Sequence, residues 1–370
     1  MERSVKARRP ATLASLAAEL GVSRTTVSNA YNRPDQLSPE LRRRVLDTAR
    51  QLRYPGPDPV ARSLRTRRAG AVGLLLTEGL SYAFRDPAAI GFLEGLTLAC
   101  EEAEQGLLLV PASPEADHAR TAAAVHRAGV DGFVVYSVPE DDPHLAAVLE
   151  RPLPTVICDQ PRVDGIDHVG IDDHAAMVGV GRHLIDLGHR RIGVICMRLG
   201  RERHDGPADV ARQRAAQYHV QRTRLAGLAE AFGVMLVDWA RVPVVERFDH
   251  TTASGATAAA ELLDLDPSVT AVVCTSDILG IGALQEVRRR GLRVPEDVSV
   301  TGFDGVPETD RAGLTTVCQP VRQKGSAAGR LLFSREEPAR PRTVELPTDL
   351  VVRASTGPAK HPDTPWFSGL

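Results

Sequence analysis

Apolar positions at three- and four-residue intervals open the chain. Leu13, Leu16, Ala17 and Leu20 form one stripe of a short helix, and Ala17 is small enough for a second helix to cross closely. Gly21 ends that helix, since a left-handed residue without a Cβ adopts the required backbone freely. Ser23 is placed to cap a second helix whose Val27 and Tyr31 face inward. Arg24, Thr25, Ser28 and Asn29 are then left facing outward. Ser38-Pro39-Glu40 opens a third helix with a cap, a proline at its first position and an early carboxylate. Leu41, Val45, Ala49 and Leu52 give it a buried stripe, so residues 12–54 make a compact three-helix unit. A polar row on the N-terminal half of a helix suits base edges in a DNA major groove. The plainer alternative is a helical hairpin capping a larger domain.

From Ala71 the pattern changes. Short apolar runs at 71–77, 107–112, 131–137, 154–159, 191–196, 241–247, 271–276 and 298–304 read as strands. Helical patterns fall between them, as at 87–104, 173–187, 221–232 and 277–290. Such alternation implies doubly wound parallel sheets, and the length exceeds one such unit, predicting two similar lobes. A ligand of such sheets sits beyond the carboxyl ends of the strands. Those ends hold Ser81, Tyr82, Phe84, Arg85 and Asp86, then Tyr136, Ser137, Asp159, His250 and Asp277. Asp277 also has a structural alternative, the capping of its own helix.

The segments LAAELGVSRTTVSNAYN, LSPELRRRVLDTARQLRY and PVARSLRT, in that order, resemble the N-terminal part of the lactose-repressor (LacI/GalR) family of bacterial transcription regulators. The later segments VGIDDHAAMVGVGRHLIDLGHRRIGVI, SDILGIGALQEVRRRGLRVPEDVSVTGFD, LTTVCQPVRQKG and LVVRAST look like that family's ligand-binding core. The resemblance implies an α/β chain with an N-terminal helix-turn-helix domain and a hinge helix. A two-lobed core like the periplasmic sugar-binding proteins would follow, with the chain crossing between lobes three times. It assigns DNA contacts to Arg24, Thr25, Ser28, Asn29 and Asn32, although the family most often has arginine where Asn29 stands. In the hinge it places Leu64 as a wedge between base steps of the minor groove, Ala61 on the same face, and Arg62 and Arg65 near phosphates. The chain has one residue more than the family pattern between Tyr54 and Val60. In the core the resemblance assigns effector contacts to Arg224 and Asp277, with Tyr136, Asp159 and His250 at pocket positions. The segment 198–220 is longer than the family pattern, and its charge density suggests a solvated loop or helix extension.

Charge sharpens this division. Residues 1–70 hold 15 Lys/Arg against 6 Asp/Glu, whereas the remaining 300 hold 30 against 41. A basic head on an acidic body fits a phosphate-binding module joined to a unit that does not bind nucleic acid. The five cysteines are scattered among apolar residues without C-x-x-C spacing, as expected of buried, reduced thiols rather than metal ligands or disulfides. No run reaches the ~18 apolar residues of a membrane span. Glu19 interrupts the only apolar candidate after the basic N-terminus, so no secretory signal and a cytoplasmic protein are expected. The first strand is followed by Glu78-Gly79-Leu80 rather than G-x-G-x-x-G, and there is no Walker loop or G-x-S-x-G elbow. Catalysis, cofactors and metals are therefore not expected.

The sequence predicts a helix-turn-helix domain over 10–56, a hinge over 57–69, a core over 70–357 and a loose tail over 358–370. The N-lobe is expected over about 70–163 and 320–340, and the C-lobe over about 164–319 and 341–357. The expected function is a homodimeric regulator, a repressor, on a pseudo-palindromic double-stranded operator. A small molecule bound by Tyr82, Phe84, Asp86, Tyr136, Asp159, Arg224, His250 and Asp277 would modulate it. A sugar is favoured, because aromatic faces with carboxylates and an arginine suit a neutral polyol. A nucleobase or nucleoside is the alternative, followed by a DNA-binding protein with no effector.

Overall fold

The computed structural model describes residues 11–54, 56, 66, 68–76, 83–111, 118–334 and 341–360. The chain divides into two compact units, Met1–Ala69 and Gly70–Leu370. The first holds α1 (Leu13–Leu20), α2 (Arg24–Asn32) and α3 (Pro39–Gln51). Thr12 and Ser15 cap α1 reciprocally, each side chain accepting from the other's backbone N–H. Gly21 closes it at φ +66°, its N–H reaching the carbonyls of Ala17 and Ala18. Ser23 and Ser38 cap α2 and α3 by accepting from the N–H groups of Thr26 and Leu41. Leu16, Ala17, Val27, Ala30, Val45 and Ala49 make the core, and Tyr31 meets Tyr54 edge-on at 6.1 Å. Leu52, expected in the buried stripe, is 38% exposed, because α3 ends at Gln51 and the chain turns away at Arg53. The hinge residues Ala61, Arg62 and Leu64, together with Ser81 and Tyr82, lie outside the described residues.

The second unit has two lobes. In the first, β1 (Ala71–Leu76), α4 (Pro87–Glu102), β2 (Gly106–Pro111), α5 (His118–Arg127), β3 (Gly132–Tyr136), α6 (Pro143–Leu149), β4 (Thr155–Cys158) and β5 (Asp167–Ile171) follow in turn. The second lobe begins with α7 (Asp173–Asp186), β6 (Ile192–Met197), β7 (Gly206–Pro207), α8 (Val210–Arg214), α9 (His219–Gly233) and β8 (Val244–Arg247). It continues through α10 (Thr252–Leu265), β9 (Ala271–Cys274), α11 (Asp277–Arg289), β10 (Ser299–Asp304), α12 (Glu308–Ala312) and β11 (Thr315–Cys318). The chain then returns to the first lobe for α13 (Val321–Phe333) and β12 (Thr343–Leu346), and ends in the second with β13 (Asp349–Val351).

The first sheet has the order β12-β5-β4-β3-β1-β2 and is parallel throughout. The second has the order β13-β11-β10-β9-β6-β8-β7, with antiparallel pairing only at its edge strands β13 and β7. Three crossings join the lobes, as the family resemblance implies, but two fall later than the sequence boundaries. The chain leaves the N-lobe after Ile171 rather than at 163, and again after Leu346 rather than at 340. The cause is that β5 and β12 pair with each other, in register from Thr343 opposite His168, and extend the first sheet.

Glycines bring the flanking helices together. A Cβ on Gly95 of α4 would lie 1.9 Å from the Arg322 carbonyl oxygen, and one on Gly325 of α13 would lie 2.1 Å from that of Phe92. The α10–α11 pair repeats the device, since a Cβ on Gly255 or Gly282 would lie 2.3 or 2.1 Å from a facing carbonyl oxygen. Backbone therefore packs on backbone at these crossings. No helix among the described residues is long and apolar enough to cross a membrane.

Candidate functional site

Two surfaces carry candidate chemistry. On α2, Arg24 and Thr25 are exposed at the first two positions of the helix. Ser28, Asn29 and Asn32 are half-buried and already bonded to neighbours. The Asn32 amide donates to the carbonyl and hydroxyl oxygens of Ser28, and the Asn29 amide donates to Gln36 Oε1 at 3.1 Å. That bond uses one of the two Asn29 amide hydrogens, and the other hydrogen and Oδ1 have no partner among the described residues. Asn32 with Ser28 instead braces the C-terminal turn of the helix.

The second surface is the cleft between the lobes, about 840 Å³ counted to its open mouth. It lies beyond the carboxyl ends of β1, β3, β4, β6, β8 and β10, where side chains from both sheets converge. The N-lobe contributes Asp86, Tyr136, Ser137, Asp159 and Gln160. The C-lobe contributes Arg198, Tyr218, Gln221, Arg224, His250 and Asp304. Ser137, Asp159 and Asp304 have φ values of +54°, +65° and +122°. Backbone of this kind costs ~1–3 kcal/mol per residue and recurs at functional sites, where the surrounding structure enforces it.

Arg224 organises the C-lobe wall. Its Nε donates to Asp173 and its Nη1 to the Thr275 carbonyl, both at 2.7 Å, and its guanidinium lies 3.5 Å from the Phe303 ring centroid. Nη2 is left without a protein partner among the described residues, available to a ligand oxygen. Asp304 lies 3.9 Å from Nη1. Burial pushes the Asp304 carboxyl well above the usual range, against the opposing pull of Arg224. His250 bonds Ser276 Oγ at 2.7 Å, and burial lowers its pKa, so it is neutral near pH 7. Tyr136 stacks on Phe92 with centroids 4.0 Å apart and lines the cleft.

A chain of charge-assisted bonds runs beneath the cleft. Lys324, 1% exposed, donates to Asp159 Oδ1 and Gln319 Oε1, both at 2.6 Å. Gln319 in turn donates to Asp304 Oδ1 at 2.6 Å. Gln319 stands at the second lobe crossing, so this chain joins a carboxylate of each lobe.

Two expected effector residues are corrected. Asp277 does not line the cleft and is fully buried. Its carboxylate accepts from the N–H groups of Gly305 and Val306 and from the Thr316 hydroxyl. Burial raises its pKa to about 6 despite those donors. Nor does it cap its helix, because Ser276 does so. Asp277 instead fixes the turn after β10 that presents Asp304. Phe84 is 61% exposed and lies outside the cleft. Asp86, Tyr136, Asp159, Arg224 and His250 are brought together at the cleft wall. Asp304, Gln160, Arg198, Tyr218, Gln221 and Gln319 were not anticipated. Asp304 was open to the strand-end argument, as the last residue of VSVTGFD. Arg198 and Tyr218 were hidden in the 198–220 segment, which is not a solvated loop.

Comparison with known proteins decides the family. Residues 182–356 match the periplasmic binding protein-like domain. An HTH-type transcriptional regulator of Mycobacterium tuberculosis is 53% identical over 352 residues, covering 95% of this chain and 98% of the relative. The chain belongs to the LacI family of transcription regulators. A crystal structure of a LacI-family transcriptional regulator from Corynebacterium glutamicum superposes with a TM-score of 0.72 at 42% identity, covering 95% of this chain and 100% of that one. The transcriptional regulator CelR, in complex with cellobiose, superposes with a TM-score of 0.68 at 30% identity, covering 93% and 99%. This LacI-family chain is accordingly a DNA-binding regulator with a helical head and a two-lobed, ligand-binding type of core.

Proposed function

We propose that this LacI-family protein is a homodimeric repressor of a pseudo-palindromic operator, released or tightened by a neutral, polyhydroxylated effector of the sugar class. The observation that carries the effector class is the balance of the cleft. The carboxyl groups of Asp86, Asp159 and Asp304 alternate with the amide and guanidinium groups of Gln160, Gln221 and Arg224. Protein partners already answer the strongest charges, Lys324 for Asp159 and Asp173 for Arg224. Hydroxyl groups, which both donate and accept, fit such a lining, whereas a phosphorylated ligand would meet the acidic side chains of Asp86, Asp159 and Asp304. The cellobiose held by CelR supports the same class. A nucleobase effector loses support, because Phe84 faces solvent and Tyr136 has one face committed to Phe92.

Two-fold symmetry of the dimer requires two half-sites, read by Arg24, Thr25 and Asn29 in successive major grooves. Ala61, Arg62 and Leu64 are assigned to the intervening minor groove through the family resemblance. A thermal-shift screen of the full chain against neutral sugars, polyols, sugar phosphates and nucleosides tests the effector class. At a hundred times its dissociation constant an effector adds ~2.7 kcal/mol, a rise of a few degrees. The shift should come from a neutral polyhydroxyl compound, shrink in Asp304→Asn and Arg224→Ala, and be accompanied by altered operator retention in a gel. A response confined to nucleosides or phosphorylated compounds would overturn the class.

A further inference from the structure

The 198–220 segment reaches across the cleft. On its own lobe it is held firmly. The fully buried Glu246 accepts from the Leu199 N–H and pairs with Arg212, while Trp239 Nε1 donates to Gln213 Oε1 at 2.8 Å. On its far side it meets the opposite lobe at the loop before α6. The Gln217 carbonyl accepts from the Glu140 N–H at 3.2 Å, and the Gln217 amide donates to Asp141 Oδ2 at 2.9 Å. Arg222 lies 3.7 Å from Glu140. The Val220 N–H donates to Gln160 Oε1 at 2.7 Å, and the Gln160 amide donates to Ser137. Among the described residues these bonds bridge the lobes directly, away from the three chain crossings.

Tyr218 stands between the two sets. It is 5% exposed and lines the cleft; no hydrogen bond of good geometry reaches its hydroxyl, and Arg198 is the polar neighbour that acts on it. The Arg198 guanidinium sits 5.1 Å from the centroids of both Tyr218 and Phe248. Burial raises the phenol pKa and outweighs that neighbour, which favours the phenolate, so the group is a neutral donor. A buried hydroxyl without a partner is costly unless something else satisfies it.

We infer that residues 198–220 form a cross-cleft latch that carries Tyr218 over the ligand as a specificity-determining hydroxyl, held in place by the bonds of Gln217 and Val220 to Glu140, Asp141 and Gln160 of the opposite lobe. The ligand half rests on the reading of the cleft as the effector site; the latch half does not. Lobe closure and ligand recognition then share one segment. Opening the lobes breaks the Gln217 and Val220 bonds and withdraws the Tyr218 hydroxyl, so a ligand oxygen bonded to it favours the closed form.

Two measurements on the full chain separate these halves. Gln217→Glu keeps the oxygen that accepts from the Arg201 N–H and sets a carboxylate against Asp141. Without ligand, amide exchange in peptides covering 138–142 should quicken roughly 3- to 10-fold, the scale set by removing one exposed hydrogen bond and adding one repulsion between like charges. Gln217→Glu/Asp141→Asn should restore it. Unchanged exchange in the single variant overturns the latch. Tyr218→Phe keeps the ring against Arg198 and removes only the hydroxyl. The ligand-free melting temperature should hold or rise, while the shift produced by whichever neutral sugar or polyol moves the wild type shrinks about tenfold in apparent affinity. A ligand-free melt lowered by several degrees makes the hydroxyl structural and overturns its role. Should no neutral compound move the wild type, the effector class fails, while the exchange and ligand-free melting results still decide the latch and the hydroxyl.

Discussion

Replacing Lys324 by methionine tests the polar chain beneath the cleft. The lysine Nζ lies 2.6 Å from both Asp159 Oδ1 and Gln319 Oε1, and its side chain is 1% exposed against 11% for Asp159. Methionine fills much of the same space but leaves the Asp159 carboxylate without its cation. Breaking one side of a buried pair costs about 3–5 kcal/mol. Asp159 borders the cleft and can recruit water, which places the cost near the lower figure. For a unit of this size about 2 °C is lost per kcal/mol, so the body transition should fall by roughly 6 °C. The second variant, Asp159→Asn, suits the left-handed backbone at that position, φ +65°, which asparagine tolerates well. Lys324→Met/Asp159→Asn removes both charges and should recover at least half of the loss. Circular-dichroism melts of the wild type, both single variants and the double variant complete a thermodynamic cycle. A single variant melting within a degree of the wild type, or a cycle with no coupling, refutes the pairing as a determinant of stability.

Three further outcomes follow from features already described. Gly325→Ala places a methyl group against the Phe92 carbonyl, and overpacking of this kind costs about 1–3 kcal/mol, seen as a lower denaturation midpoint; an unchanged midpoint would show that α4 and α13 can part. His189, bonded to Thr270, Ser299 and the Gly357 carbonyl, has its pKa lowered by burial to about 4. Above pH 6.5 its proton equilibrium is neutral to stability. As pH falls from 6.5 toward 4 the unfolded state takes up a proton that the native state refuses, so about 2 kcal/mol is lost by pH 4.5. Comparing denaturant unfolding at pH 7 and pH 4.5, His189→Gln should lack this increment, and an identical acid slope would contradict the assignment. Asn29→Arg should shift one base in each half-site from adenine toward guanine, since asparagine pairs with the adenine edge and arginine with guanine. Selection from randomised operators checks this, and an unchanged consensus would remove Asn29 from the base-reading set.

The helical head was legible in detail because its determinants are local. Ser23, Gly21 and Ser38 act at caps, and Leu16, Val27 and Val45 act at helical spacing, within a few residues of what they control. In the body the long apolar strands were visible, but β5, β7, β11, β12 and β13 were not. The run DHVGI is short and polar at its start, and β12 alternates between exposed and half-buried residues at the sheet edge, so each read as a connection. That placed two lobe boundaries too early. Of the expected side chains Arg224 and Asp159 line the cleft, whereas Asp304 lines it in place of Asp277. The bonds that hold Asp277 reach 28–39 residues along the chain, a distance no local pattern registers. The 198–220 segment misled through its charges, since the partner that neutralises Arg212 is a glutamate on β8 with no solvent exposure.

The interlocked glycine helices have a mechanical consequence. Where α4 meets α13, and α10 meets α11, main chain rests against main chain, with no long side chains between them to shear or repack. Such contacts stiffen each lobe internally, and the lobes are joined by three short crossings near residues 172, 319–320 and 347–348. Of these, the second carries Gln319, whose amide group grips Asp304 on one side and Lys324 on the other. Substitutions inside a lobe change how well the regulator survives heat, while substitutions at that joint change how far it bends.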